Sequence, residues 1–145
     1  MTNILEALRE HVKGFPGMPG FYRSIGVDYL EEEPDAYMLE AVPAKPVVKS
    51  YVNGDTHRQL VFVLSSRESY GPDVGQALAA NGFYQSFAEW LDRCTREGDL
   101  PDLGTGREAL RLEALTGGYA FATGVRSARY QIQCRLLYFE KGDLQ

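Results

Sequence analysis

Two histidines, two cysteines and one glycine-rich turn are the features of this 145-residue chain best suited to chemistry. His11 and His57 would carry the protons of any acid–base mechanism, because imidazole titrates unperturbed near neutral pH. His11 falls near the C-terminal end of a helical pattern, where an imidazolium meets the helix dipole favourably, and His57 follows an Asn53-Gly54 turn at a strand start. Both settings are structural, and neither residue is expected to be catalytic or to hold a metal. Cys94 in a helical stretch and Cys134 in an alternating one share no CxxC or Cys/His cluster, so reduced packing residues are expected. Gly104-Thr105-Gly106-Arg107-Glu108-Ala109 fits a loose GxGxxA dinucleotide pattern, but that chemistry needs a strand before it and a helix after it. Here a Pro/Gly/Asp loop precedes the turn and the alternating Leu110–Leu115 follows it. No GxxxxGK[ST], GxSxG or HExxH occurs, and the Ser65-Ser66 pair has no base close in sequence. The expectation is a protein without catalytic residues, cofactor or metal.

Recognition residues are more conspicuous than reactive ones. Arg126, Arg129 and Arg135 gather around Tyr130 near the C-terminus, a weak nucleic-acid signature better explained as a solvated strand face with cross-strand ion pairs. Nine tyrosines and seven phenylalanines, several in expected loops or at strand ends (Phe21, Tyr22, Tyr29, Tyr70, Tyr119), exceed the needs of one small core, and aromatics are enriched at protein interfaces. Exposed Arg and Tyr at loops and strand edges are common anchors, so Arg67, Tyr70, Arg126 and Arg135 are the expected assembly residues.

The elements that must position these residues follow from composition and periodicity. With 44% hydrophobic and 24% charged residues the chain suits a single domain, residues 1–145. A net charge of -5 weakens attraction to phosphates, and no basic leader or apolar stretch of membrane-spanning length is seen, so a cytoplasmic site of synthesis is expected. Asn3 and Glu6 have capping-box spacing ahead of Ile4, Leu5, Leu8 and Val12, a helix that Gly14 and Pro16 stop. Phe15 to Pro34, with the acidic run Glu31–Glu33, is expected to be a long surface connection. Strands are expected at Ala36–Val42, Val47–Val52 and Arg58–Leu64, the last two joined at Asn53-Gly54-Asp55 and the third central, with both faces apolar. Pro72–Glu97 predicts a helix that Asn81-Gly82 breaks or kinks. Leu110–Thr123 and Ala128–Phe139 predict two final strands joined through Gly124 and Ser127, the second placing Tyr130, Ile132, Cys134, Leu136 and Tyr138 on one face. The pattern implies an α+β fold, a mostly antiparallel sheet with helices on one face.

Several stretches, taken in order, resemble a family of short proteins encoded among head and tail morphogenesis genes of phages and prophages of Gram-positive bacteria. They are Val27-Asp-Tyr-Leu30, Pro46–Tyr51 with Gly54, Arg58 and Gln59, Phe62–Gly71, Asn81-Gly-Phe-Tyr84, Arg111–Thr116 and Ala128–Tyr138. The resemblance implies a tail-terminator-like α/β subunit that closes a sixfold ring on the tail tube and docks to the head-tail connector. Its partners would be copies of itself, the tail tube protein and the connector protein, with DNA merely passing through the ring and no membrane involved. The location implied is the virion, reached from the host cytoplasm. A minor capsid or neck role is the alternative within that class, and a small-molecule-binding or modifying domain the alternative outside it. Similar sequences also carry a chloramphenicol-resistance label. An acetyltransferase of that type needs HxxxDG, which neither His11-Val-Lys-Gly-Phe15 nor His57-Arg-Gln-Leu-Val61 supplies.

Overall fold

The computed structural model describes residues 3–16, 25–27, 37–68, 74–123 and 128–142. In chain order the elements are α1 (Ile4–Val12), β1 (Ile25–Val27), β2 (Tyr37–Val42), β3 (Val47–Ser50), β4 (Thr56–Glu68), α2 (Val74–Glu97), β5 (Arg107–Ala114), β6 (Tyr119–Thr123) and β7 (Ala128–Glu140). The fold is α+β. The strands form one sheet in the order β1-β2-β4-β7-β5, with β3 also on β4 and β6 also on β7. β1 runs parallel to β2, and the other pairings are antiparallel.

The two 13-residue strands β4 and β7 form the beam of the sheet, paired from Thr56↔Glu140 to Glu68↔Ala128 without a register shift. Because side chains alternate along a strand, this register sends Leu60, Phe62, Leu64 and Ser66 to one face together with Tyr130, Ile132, Cys134, Leu136 and Tyr138. That face carries the core, which α2 joins through Tyr84, Phe87, Trp90, Leu91 and Cys94, and α1 through Leu8 and Val12. Both helices therefore lie on the same side. Asn3 caps α1 by accepting from the main-chain N–H groups of Leu5 (3.0 Å) and Glu6 (3.2 Å).

Four sequence expectations change. α2 runs unbroken through Asn81 and Gly82; a Cβ at Gly82 would meet open space, so the residue costs only propensity, which the buried aromatics after it outweigh. Leu110–Thr123 is two strands rather than one, split at Gly117-Gly118, where a Cβ at Gly118 would lie 2.5 Å from the Tyr84 Cβ. The stretch after α1 is more than a surface connection. Phe15 is buried edge-on against Phe83 and Phe87, and Ile25–Val27 adds a strand to the sheet margin. Finally, β4 extends past Leu64 to Glu68 because β7 pairs with it all the way. The acidic run Glu31–Glu33, the aromatics Phe21, Tyr22 and Tyr29, the Pro72-Asp73 helix start and the Gly124–Ser127 connection lie outside the described residues.

Candidate functional site

Of the residues expected to take part in recognition, Arg129, Arg135 and Tyr119 lie on the sheet face turned away from the helices, whereas Tyr130 is in the core. Register arranges that outer face in rows across β3, β4, β7, β5 and β6. At the hairpin end, His57 lies edge-on between Tyr51 (5.4 Å) and Phe139 (5.9 Å), and Lys49 sits 5.2 Å above the Tyr51 ring. In the middle, Arg135 donates from Nε to Glu113 Oε2 (2.8 Å) and from Nη1 to Gln59 Oε1 (3.3 Å), while Arg111 Nε donates to Glu113 Oε1 (3.0 Å). At the other end, Gln131 Nε2 donates to the Tyr119 hydroxyl (2.7 Å), Ser65 Oγ to Gln131 Oε1 (3.4 Å) and Arg129 Nη2 to Ser65 Oγ (3.4 Å).

Charge on this face is largely compensated within the subunit. Partial burial raises the Glu113 pKa, but the hydrogen bonds and charges of Arg135 and Arg111 outweigh it and hold the carboxyl below its ordinary range. Arg135, expected as an assembly anchor, is thus engaged by Glu113 and Gln59. Arg67 lies on β4 opposite Arg129, and its side chain is outside the described residues, as are Tyr70 and Arg126 entirely. The structure brings Arg67 and Arg135 to neighbouring strands of one sheet, with the Arg67↔Arg129 and Val61↔Arg135 pairs six positions apart along the ladder. The Arg135–Glu113–Gln59 cluster was invisible as such in sequence, since its members lie on three different strands.

A second set of residues went unnoticed in the sequence. Val48 (54% exposed), Tyr51 (38%) and the fully exposed Val52 stand at the β3–β4 hairpin, while Leu110 (38%) and Leu115 (44%) stand on and just beyond β5. These groups occupy opposite margins of the sheet, β3 beside β4 and β5 beside β7. Strict alternation would have buried Leu110 with Leu112. The register shift between Ala109 and Arg111 turns it outward instead. The outer edge of β5 is partly closed, because Thr95 of α2 accepts from Leu112 N–H (2.9 Å) and donates to Leu112 C=O (2.8 Å).

Groups suited to catalysis are muted. Burial lowers the His11 pKa, against the opposing influence of Asp99, so the ring is neutral rather than the cation that the helix dipole alone would favour. Burial, with the Asp99 charge adding to it, pushes the Cys94 thiol up to about 11, and burial alone pushes Cys134 up, so neither is a ready nucleophile at neutral pH. The two serines point to opposite faces: Ser66 Oγ lies 2.6 Å from the Tyr84 hydroxyl in the core, and Ser65 belongs to the outer network. Gly104 (φ 91°) and Gly106 (φ 83°) turn the chain directly into β5, a strand, so no helix N-terminus is presented there to a pyrophosphate. Among the described residues no helix is long and apolar enough to cross a membrane. No family model matches the chain, and no curated protein matches it.

Proposed function

We propose that this chain is a virion structural subunit of the tail-terminator or head-tail joining type, which assembles with copies of itself into a ring that caps the tail tube and docks to the connector. It acts by surface contact, without catalytic residues or cofactor. The observation that carries the reading is the pair of dissimilar apolar groups at opposite margins of one sheet, Val48, Tyr51 and Val52 on one side and Leu110 and Leu115 on the other. A ring needs a head-to-tail contact between two different patches of the same subunit, and patches on opposing margins meet that requirement. Because Thr95 occupies the main-chain groups of Leu112, contact at the β5 margin would run through side chains more than through an added strand. The resemblance across the chain supplies the partners, and the net charge of -5 suits a lumen that lets DNA pass without gripping it.

Light scattering over a concentration range, with and without purified tail tubes, followed by electron microscopy, tests this directly. Rings, or caps at one end of the tubes, are the expected result. A monomer that ignores tubes at every concentration would overturn it in favour of a minor capsid or ligand-binding role. Head-to-tail geometry makes a sharper demand. Val52→Glu and Leu115→Glu should each abolish rings alone, yet pair into dimers when mixed, because each retains one intact patch.

A further inference from the structure

Where α1 meets the C-terminal end of α2, away from the sheet face, three side chains of different chemistry converge. One ligand-type atom each from His11, Cys94 and Asp99 lies within 4.8 Å of the other two. We propose that these residues bind a single divalent transition-metal ion of the zinc type, which ties α1 to the end of α2.

Local geometry explains the convergence. Gly98 takes the left-handed conformation (φ 73°) that closes α2, and the main-chain N–H of Asp99 then bonds back to Cys94 C=O at 2.9 Å. That turn brings the carboxylate to the thiol, Cys94 Sγ to Asp99 Oδ2 being 3.9 Å. Tetrahedral zinc with ordinary bond lengths separates a sulfur and an oxygen ligand by about 3.6 Å, so little movement is needed to close around an ion. His11 arrives from the other helix. Its ring rests on Trp90 at 5.4 Å, a contact that holds it against the end of α2.

A second observation is independent of the clustering. The Nε2 atom of His11 is buried and finds no hydrogen-bond partner among the described residues, a rare state for a buried ring nitrogen that a metal would relieve. Thiolate, imidazole and carboxylate together suit zinc or cobalt better than magnesium or calcium, and three protein ligands leave a fourth position for water. A groove of about 520 Å³ between α1 and Leu100–Asp102 opens beside His11.

Cobalt(II) titration of the metal-stripped full chain is the test. The expected result is one equivalent bound, with the visible bands of a tetrahedral site, a near-ultraviolet thiolate charge-transfer band, and loss of both when zinc is added. Cys94→Ser should remove the charge-transfer band and Cys134→Ala should keep it. Asp99→Asn, at an exposed position that leaves the core intact, should weaken binding tenfold or more, and it decides the matter if the cysteine variants do not fold. Absence of the bands at excess cobalt, a charge-transfer band that survives Cys94→Ser, or unchanged affinity in Asp99→Asn would each overturn the site.

Discussion

The two faces of the β4–β7 beam share one backbone and one register but meet opposite demands. Toward the helices, Phe62, Leu64, Ile132, Cys134 and Leu136 are completely buried, and the polar groups Ser66 and Tyr84 pair with each other. On the far face, Gln59, Arg135 and Glu113 remain part-exposed and are joined by charge-assisted hydrogen bonds. Toward the hairpin end stability should therefore be concentrated on one face, leaving the other free to vary with its partner, whereas at the opposite end Met38, Val63, Ser65 and Gln131 of the far face are buried as well. A period-two strand separates the two duties residue by residue, so either can change without the other.

Substitutions on each face test that division. Phe62→Ala should cost the most, about 3–5 kcal/mol in urea unfolding, because it removes a fully buried ring and leaves a cavity. Gly118→Ala comes next at about 1–3 kcal/mol, since the new methyl would stand 2.5–2.8 Å from the Tyr84 side chain and force it out of place. Tyr84→Phe keeps the ring and loses the hydroxyl that donates to the Tyr130 carbonyl (3.0 Å), for about 1 kcal/mol by the same measurement. Glu113→Gln on the far face should cost least, under about 1 kcal/mol, as part-exposed ion pairs do. Equal losses on the two faces would break the comparison.

The last variant also has a pH signature. Glu113 titrates below its ordinary range in the folded state, so its contribution is complete above the unfolded carboxylate range and is lost as the pH falls through the folded value. The urea midpoint of the wild type should accordingly drop more steeply on acidification than that of Glu113→Gln. Parallel curves would show that the Arg135–Glu113 pair contributes nothing.

Much of the covered face was legible in sequence, because Tyr130, Ile132, Cys134, Leu136 and Tyr138 alternate cleanly and Leu8 and Val12 recur at helical spacing. What escaped was set by tertiary partners. Ser65 and Ser66 are poor signals for continuing a strand, yet β4 runs on because β7 offers a partner at every position. Gly82 reads as a break, but Phe83, Tyr84 and Phe87 beyond it are packed firmly enough to carry the helix through. Of the four expected anchors, only the side chain of Arg135 is described, and local sequence could not reveal that Glu113 and Gln59, 22 and 76 positions away, engage it. The exposed Leu110 was hidden by a bulge, which shifts register without any mark in the residue pattern.

The long β4–β7 ladder also governs how the protein is made. Its halves are separated in the chain by α2, β5 and β6, so on the ribosome β4 must wait while every intervening element is synthesised. Until the last residues of β7 emerge, the flank of β4 that β7 will cover stays open and the core of the sheet cannot close. Ring closure over so many residues makes folding slow compared with a helical bundle of similar size. The nascent chain thus passes through a stage in which an apolar strand is unpaired, the state in which a chaperone has most to offer it.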